Sequence, residues 1–240
     1  MYQFESRIRY SEVDADCRLT LSALMNYFQD CSSFHSESLG LGVEYLAQHH
    51  VTWMLSSWQI CLNELPKLTD PVVIQTWPYE MKAFYGYRNF SMNRPDGSRL
   101  AYANSIWVLI DTDTGRPVKV PQEVIEAYGR DEQLPMECSE RKIPLPDGLM
   151  VQGDLVVPSH FIDSNHHMNN EKYVVIALEY VDRDFPIGEI RVEYKKEAKL
   201  GDHVLVAVDK TAERITVALE DESGKPYAVI AFLRKNRGDK

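Results

Sequence analysis

The stretch Asp163-Ser164-Asn165-His166-His167-Met168-Asn169-Asn170 gathers one carboxylate, three carboxamides and two imidazoles into eight residues. If 160–167 is extended, residues 163, 165 and 167 share one face, because strand side chains alternate. An imidazole moves protons near neutral pH, a carboxamide can donate to a developing oxyanion, and a carboxylate can orient the imidazole. The same residues also fit a polar loop, with Asp163 and the asparagines satisfying helix-start amides and both histidines merely exposed. A second candidate is Glu193-Tyr194-Lys195-Lys196-Glu197-Ala198. Glu193, Lys195 and Glu197 would share one strand face, for which a solvated charged surface is the default reading. Spacing alone does not single out Glu197.

Other chemistries find little support. A metal site on Asp163, His166 and His167 lacks the H-E-x-x-H or cysteine-rich spacing that would accompany it, so no metal and no cofactor is expected. There is no G-x-S-x-G elbow and no G-x-x-x-x-G-K-[ST] loop, and Gly40-Leu41-Gly42 lacks the third glycine of a dinucleotide fingerprint.

The elements that must position these groups read as a diverged repeat. Asp14-Ala15-Asp16 lies over Asp163-Ser164-Asn165, Lys67-Leu68-Thr69-Asp70 over Lys199-Leu200-Gly201-Asp202, and Asp96-Gly97-Ser98 over Ser223-Gly224-Lys225. The offsets are 149, 132 and 127 residues, and the matches run in the same order. Leu21, Leu24, Met25, Phe28 and Cys31 recur at helical spacing, with Thr20 or Ser22 as cap and Gly40 and Gly42 at the end. Asn169 or Asn170 would cap a second helix carrying Tyr173, Ile176, Ala177, Tyr180 and Val181, closed by Pro186 and Gly188. Strands are expected near 53–62, 71–80, 85–94 and 99–111, and again near 189–198, 203–210, 213–220 and 226–235, with hairpin turns at the glycines. A long helix with an antiparallel sheet, repeated twice, is an α+β arrangement. Residues 1–130 form the first copy and 151–240 the second. Residues 131–150, with three prolines and no periodicity, form a linker.

Composition sets the outer limits. The 240 residues are 44% hydrophobic and 26% charged, which suits a globular protein with a proper core. Net charge is −10, so nucleic acid is an unexpected partner. Residues 191–240 nevertheless carry 11 Lys/Arg against 9 Asp/Glu, a mildly basic end on an acidic chain. No window approaches the ~18 apolar residues of a membrane span. Cys17, Cys31, Cys61 and Cys138 form no C-x-x-C and read as reduced thiols of a cytoplasmic protein.

From Asp163 to Tyr173, with Glu179 downstream, the chain resembles the D-x-N-x-H-x-N-N-x-K-Y signature of acyl-acyl-carrier-protein (acyl-ACP) thioesterases. Val192-Glu193-Tyr194-Lys195-Lys196-Glu197-Ala198 is similar to the family's second signature, and Gly115-Arg116-Pro117-Val118-Lys119-Val120-Pro121 to a segment closing its first half. The resemblance implies a double hotdog fold and hydrolysis of the thioester between a fatty acyl chain and the phosphopantetheine of acyl carrier protein. It carries over a catalytic set of Asp163, Asn165, His167 and Glu197. Plant members have a cysteine where this chain has Ala198, which favours attack by water with Glu197 as base. Asn165 and a backbone amide near the second helix start would stabilise the oxyanion, and His167, oriented by Asp163, would share the base role or protonate the departing thiolate. Plant members also carry a targeting extension, whereas this chain starts at its first strand, as a bacterial member would.

At the repeat offsets, His167 corresponds to Arg18 and Glu197 to Leu65, so one catalytic site per chain is expected. The first copy, which holds Trp53, Trp58, Trp77 and Trp107 with Phe84, Tyr85 and Phe90, would shape the acyl pocket, although such residues are more often plain core. Lys195, Lys196, Lys199, Arg234, Lys235 and Arg237 are candidates for docking the acidic carrier. A homodimer is compatible with the sequence. Rival readings are an acyl-coenzyme A thioesterase, a hotdog dehydratase and a non-catalytic acyl-binding hotdog protein.

Overall fold

Alternating half-buried and exposed residues along Tyr2–Arg7 make the first strand, β1, of the computed structural model, which describes residues 1–235. Thr20 Oγ1 then accepts the Ala23 N–H and opens helix α1 (Leu21–Ser38). Such a cap is worth about 1 kcal/mol. Gly40, at φ +70°, follows the last turn, where a left-handed residue ends the helix at little cost. A short helix α2 (Val43–Gln48) leads into β2 (Val51–Leu62), β3 (Pro71–Lys82), β4 (Tyr85–Asn93) and β5 (Arg99–Asp111), and helix α3 (Gln122–Tyr128) closes the half.

The chain divides into two units: Met1–Ser56 with Leu62–Cys138, and Ser57–Cys61 with the residues from Ser139 onward. In the first unit the strand order is β1-β3-β4-β5-β2. α1 packs on β3 and β1. Its apolar stripe is fully buried at Leu24, Phe28 and Cys31, and Phe28 meets Phe90 with ring centroids 5.4 Å apart. Truncating such a phenylalanine to alanine costs about 3–5 kcal/mol.

The second unit contains β6 (Met150–Val156), α4 (Asn170–Leu178), β7 (Ile187–Tyr194), β8 (His203–Lys210), β9 (Arg214–Glu220) and β10 (Pro226–Arg234). Its order is β7-β10-β9-β8-β6, and Ser57–Cys61 of β2 pairs antiparallel with Glu189–Glu193 of β7. α4 packs on β9 and β10.

Two expectations are corrected here. The second helix was expected to run through Tyr180 and Val181 to Pro186, but α4 is only nine residues long. The amides of Glu179, Tyr180 and Val181 bond three residues back, which tightens and ends the helix. Tyr180 is thereby turned onto Gly153 of β6, where any β-carbon would meet its hydroxyl. Likewise the strand expected over 189–198 stops at Tyr194, so Glu193, Lys195 and Glu197 do not share a strand face.

Residues between α3 and β6 hold no helix or strand but are fastened along their length. The Trp77 indole donates to the Glu132 carbonyl, and the Leu134 N–H to the Asn89 side chain. Further on, the Ser139 N–H reaches Gln59 Oε1, the Ile143 N–H reaches Glu193 Oε2, and Arg191 donates to the Glu140 carbonyl. Ile143 is buried against Val229, Ala231 and Leu233. Among the described residues no helix is long and apolar enough to cross a membrane.

Candidate active site

Asp163–His166 is a turn rather than a strand, which overturns the one-face argument for residues 163, 165 and 167. The turn is closed by an isolated bridge between Ile162 and Met168, by the Asp163 N–H donating to the His167 carbonyl at 2.8 Å, and by the His166 N–H donating to the Asp163 carbonyl at 3.1 Å. Asp163 Oδ1 accepts two further backbone amides, from Asn165 at 2.8 Å and His167 at 3.3 Å. This is the behaviour of an Asx turn. His166 takes the strained corner, at φ +62°, and is exposed. The carboxylate therefore organises the peptide that carries the imidazole, and no bond from Asp163 to the ring is seen.

The imidazole finds a different carboxylate. His167 Nε2 lies 2.9 Å from Glu197 Oε2, with the two side chains 26% and 38% exposed. A carboxylate only accepts, so Nε2 carries the proton in this contact. His167 Nδ1 and Glu197 Oε1 make no hydrogen bond to a described residue, and neither does the carboxamide of the exposed Asn165. Three of the four expected residues thus present unengaged polar atoms from a half-exposed surface, while Asp163 is spent on the turn.

Glu197 reaches His167 because the chain leaves β7 early. The Lys195 and Lys196 amides both donate to the Tyr227 carbonyl, at 2.8 and 3.1 Å, and the backbone then runs free of the sheet. Ala198 secures the far side: its carbonyl accepts the Met168 N–H at 2.8 Å, and its N–H donates to Tyr173 Oη at 2.9 Å. Tyr173 is buried on α4, its ring edge-on to Tyr194 at 5.5 Å, and burial pushes its ionisation upward. Sequence reasoning placed Tyr173 in an apolar stripe and as the last residue of the family signature, and gave its hydroxyl no role. Asn169 caps α4 by accepting the Glu171 N–H.

The first unit repeats this turn bond for bond. Asp14 Oδ1 accepts the Asp16 and Arg18 amides, the Asp14 N–H donates to the Arg18 carbonyl, Cys17 sits at φ +57°, and the Leu19 N–H donates to the Pro66 carbonyl. The hairpins agree as well, with Gly97 and Gly224 at φ +86° and +77°. At the place of the His–Glu contact, Arg18 donates to the Leu65 carbonyl at 3.4 Å.

Elsewhere, Trp58, Trp77 and Phe90 are buried, whereas Trp53 and Trp107 are half-buried. Among the docking candidates, Lys195 pairs with Glu193 and Lys196 with Asp221, whereas Arg234 bonds the Ala212 carbonyl and stacks on Phe185. Lys199 is exposed and forms no ion pair with a described residue. Arg237 lies outside the described residues. Among the described residues no three His, Cys, Asp or Glu side chains converge to hold a metal ion.

Comparison with known proteins agrees with this architecture. Residues 1–128 match the acyl-ACP thioesterase N-terminal domain and residues 153–231 the C-terminal domain. A chloroplastic acyl-[acyl-carrier-protein] hydrolase of Cuphea viscosissima is 28% identical over 217 residues, covering 84% of this chain and 52% of the relative. A dodecanoyl-[acyl-carrier-protein] hydrolase of Cinnamomum camphora is 28% identical over 211 residues, covering 80% and 55%. The chain spans about half the length of the curated relatives it matches. The crystal structure of an acyl-ACP thioesterase from Bacteroides thetaiotaomicron superposes with a TM-score of 0.89 at 24% identity, covering 97% of each chain. The 12:0-ACP thioesterase from Umbellularia californica gives 0.85 at 20% identity, covering 98% of this chain and 96% of that one. These likenesses establish the double hotdog fold, and with both domains matched in order the chain belongs to the acyl-ACP thioesterase family.

Proposed function

We propose that this protein hydrolyses the thioester joining a fatty acyl chain to the phosphopantetheine of acyl carrier protein, releasing the free acid and the carrier thiol. The observation that carries the proposal is the half-exposed contact of His167 Nε2 with Glu197 Oε2 at 2.9 Å, next to the unengaged Asn165 carboxamide. Glu197 Oε1 takes a proton from water as the water oxygen bonds to the thioester carbon. The Asn165 carboxamide donates to the oxyanion that forms. Collapse breaks the carbon–sulfur bond, and the His167–Glu197 pair returns the proton to the departing thiolate. Asp163 holds the turn that presents Asn165 and His167, a role its two amide bonds support better than direct contact with the ring.

A water route suits Ala198, which is buried and has no thiol. Lys199 is the best-placed cation for the acidic carrier, since its neighbours Lys195 and Lys196 are already paired. The relatives' names span dodecanoyl, palmitoyl and oleoyl groups, so membership leaves acyl length to be measured. The four cysteines form no disulfide among the described residues, which supports a reducing, cytoplasmic setting.

The test is to incubate purified protein with acyl-ACP and, separately, with the same acyl group on coenzyme A, following free thiol and free acid. Stoichiometric thiol and acid with a higher kcat/KM on the carrier-linked substrate is the expected result. A preference for coenzyme A would move the reading to an acyl-coenzyme A thioesterase, and binding without thiol release to a non-catalytic protein.

A further inference from the structure

We propose that the Tyr173 hydroxyl is a positioning residue for Glu197, an inference that rests on the thioesterase reading above. Glu197 lies past the end of β7, where no ladder fixes it. The residue that follows it, Ala198, is held from both sides, its carbonyl by the Met168 N–H and its amide by Tyr173 Oη. Only the second of these reaches the Glu197–Ala198 bond itself, because the amide nitrogen of Ala198 is bonded directly to the Glu197 carbonyl carbon. Tyr173 can hold it steadily. The phenol is buried, burial keeps it protonated, and its ring is braced against Tyr194, whose hydroxyl donates to the Asn170 carbonyl at 2.8 Å.

The duplicated unit supplies a control within the same chain. At the matching positions the first copy has Leu24 for Tyr173, Leu62 for Tyr194, Leu65 for Glu197 and Pro66 for Ala198. The carbonyl bond is retained, Leu19 N–H to Pro66 at 2.8 Å against Met168 N–H to Ala198 at 2.8 Å. The amide bond is not: proline has no N–H to give and leucine no hydroxyl to receive it. Leu24 is as buried as Tyr173, so the fold is satisfied by an apolar side chain at this place. Both halves of the hydroxyl–amide bond occur only in the copy that carries the imidazole and the carboxylate. A bond that the scaffold dispenses with, and that touches the backbone of the catalytic carboxylate, serves the site.

The experiment compares wild type, Tyr173→Phe, Glu197→Gln and the double variant on acyl-ACP. Tyr173→Phe keeps the ring and removes only the hydroxyl. Its kcat should fall about ten- to a hundredfold, the scale of a misplaced catalytic group, with KM within about twofold. In the Glu197→Gln background the same change should cause no further loss, since there is no base left to place. Hydrogen exchange at the Ala198 amide should quicken in Tyr173→Phe while the α4 amides stay protected. Wild-type kcat in Tyr173→Phe, an equal loss in both backgrounds, or an unchanged Ala198 exchange rate would overturn the inference and leave the thioesterase reading intact. A wild type inert on acyl-ACP, or Glu197→Gln as fast as wild type, would overturn the reading itself and this inference with it.

Discussion

His167 and Glu197 meet at 2.9 Å although they lie thirty positions apart, and at the matching place in the first unit the Arg18 side chain donates to the Leu65 carbonyl instead. The pair is half-exposed, so it adds about 0–1 kcal/mol to stability. Under the proposed mechanism its worth lies in turnover. His167→Ala and Glu197→Ala should each lower kcat by about a hundredfold or more, with the melting temperature within about 2 °C of wild type. In that mechanism the two act as a unit, so the double variant should be no slower than the worse single one. Steady-state kinetics beside thermal melts check this, and multiplicative losses would separate the two groups.

Asp163 tests whether charge or geometry matters at the turn. Its Oδ1 accepts the Asn165 and His167 amides, and an asparagine side-chain oxygen can do the same. Asp163→Asn should therefore keep kcat within about threefold, whereas Asp163→Ala, which leaves both amides without that acceptor, should lose about tenfold or more. If Asn were as damaging as Ala, the negative charge would be acting on the imidazole after all.

Lys199 gives the docking prediction. Its side chain is exposed and forms no ion pair with a described residue, while its amide is tied to Asp202. Lys199→Glu should raise KM for the carrier-linked substrate about three- to tenfold, the effect of a rim charge on association, and leave hydrolysis of a small thioester unchanged. Added salt should narrow the difference. Equal effects on both substrates would remove Lys199 from the docking surface.

Inside the first unit, Arg88 predicts a pH dependence of stability. The guanidinium, buried on β4, donates from Nη1 to His35 Nδ1 at 3.0 Å and to Thr76 Oγ1 at 3.1 Å, and lies 5.3 Å from the Tyr128 ring. A guanidinium cannot accept, so Nδ1 is the bare nitrogen of His35. Burial, and after it the Arg88 charge, push the pKa of His35 from 6.5 to about 4. The unfolded chain then binds the proton first, so stability is full above about pH 6.5 and is lost as pH falls toward 4. The loss is at most about 3 kcal/mol. His35→Gln, which keeps an acceptor and cannot titrate, should flatten the melting temperature between pH 4 and 6.5 relative to wild type. Identical slopes would refute the assignment.

Much of this frame could be read from residue types. The three repeat matches fell on turns, and turns are where the two copies remain nearly superposable, since Asp14 and Asp163 make the same amide bonds and Gly97 and Gly224 the same left-handed corner. Capping chemistry is local, so Thr20 and Asn169 each stood among two candidates, beside Ser22 and Asn170, and are the caps in the structure. What could not be read depends on distant partners. Nothing between Tyr194 and Glu197 signals a strand end, because the end is made by the Tyr227 carbonyl drawing two successive amides. The same holds for the residues joining the halves. Leu134 and Ile143 are buried, but the scattered apolar residues of this stretch follow no period that would mark these two as anchors. Tyr173 closed the family signature and lay in an apolar stripe, but neither says what its hydroxyl bonds, since the Ala198 amide is 25 residues away in sequence.

The loan of Ser57–Cys61 to the second unit has a consequence for anyone dissecting this chain. A fragment beginning at Ser139 would retain the imidazole and the carboxylate, yet its outermost strand, β7, would lie bare along Glu189–Glu193, and Gln59 would no longer receive the Ser139 amide. An uncovered backbone edge of that kind recruits neighbouring molecules into aggregates. The strand segment that covers β7 thus lies far upstream in the sequence, and truncation should end in precipitate unless a peptide bearing Ser57–Cys61 is supplied in trans.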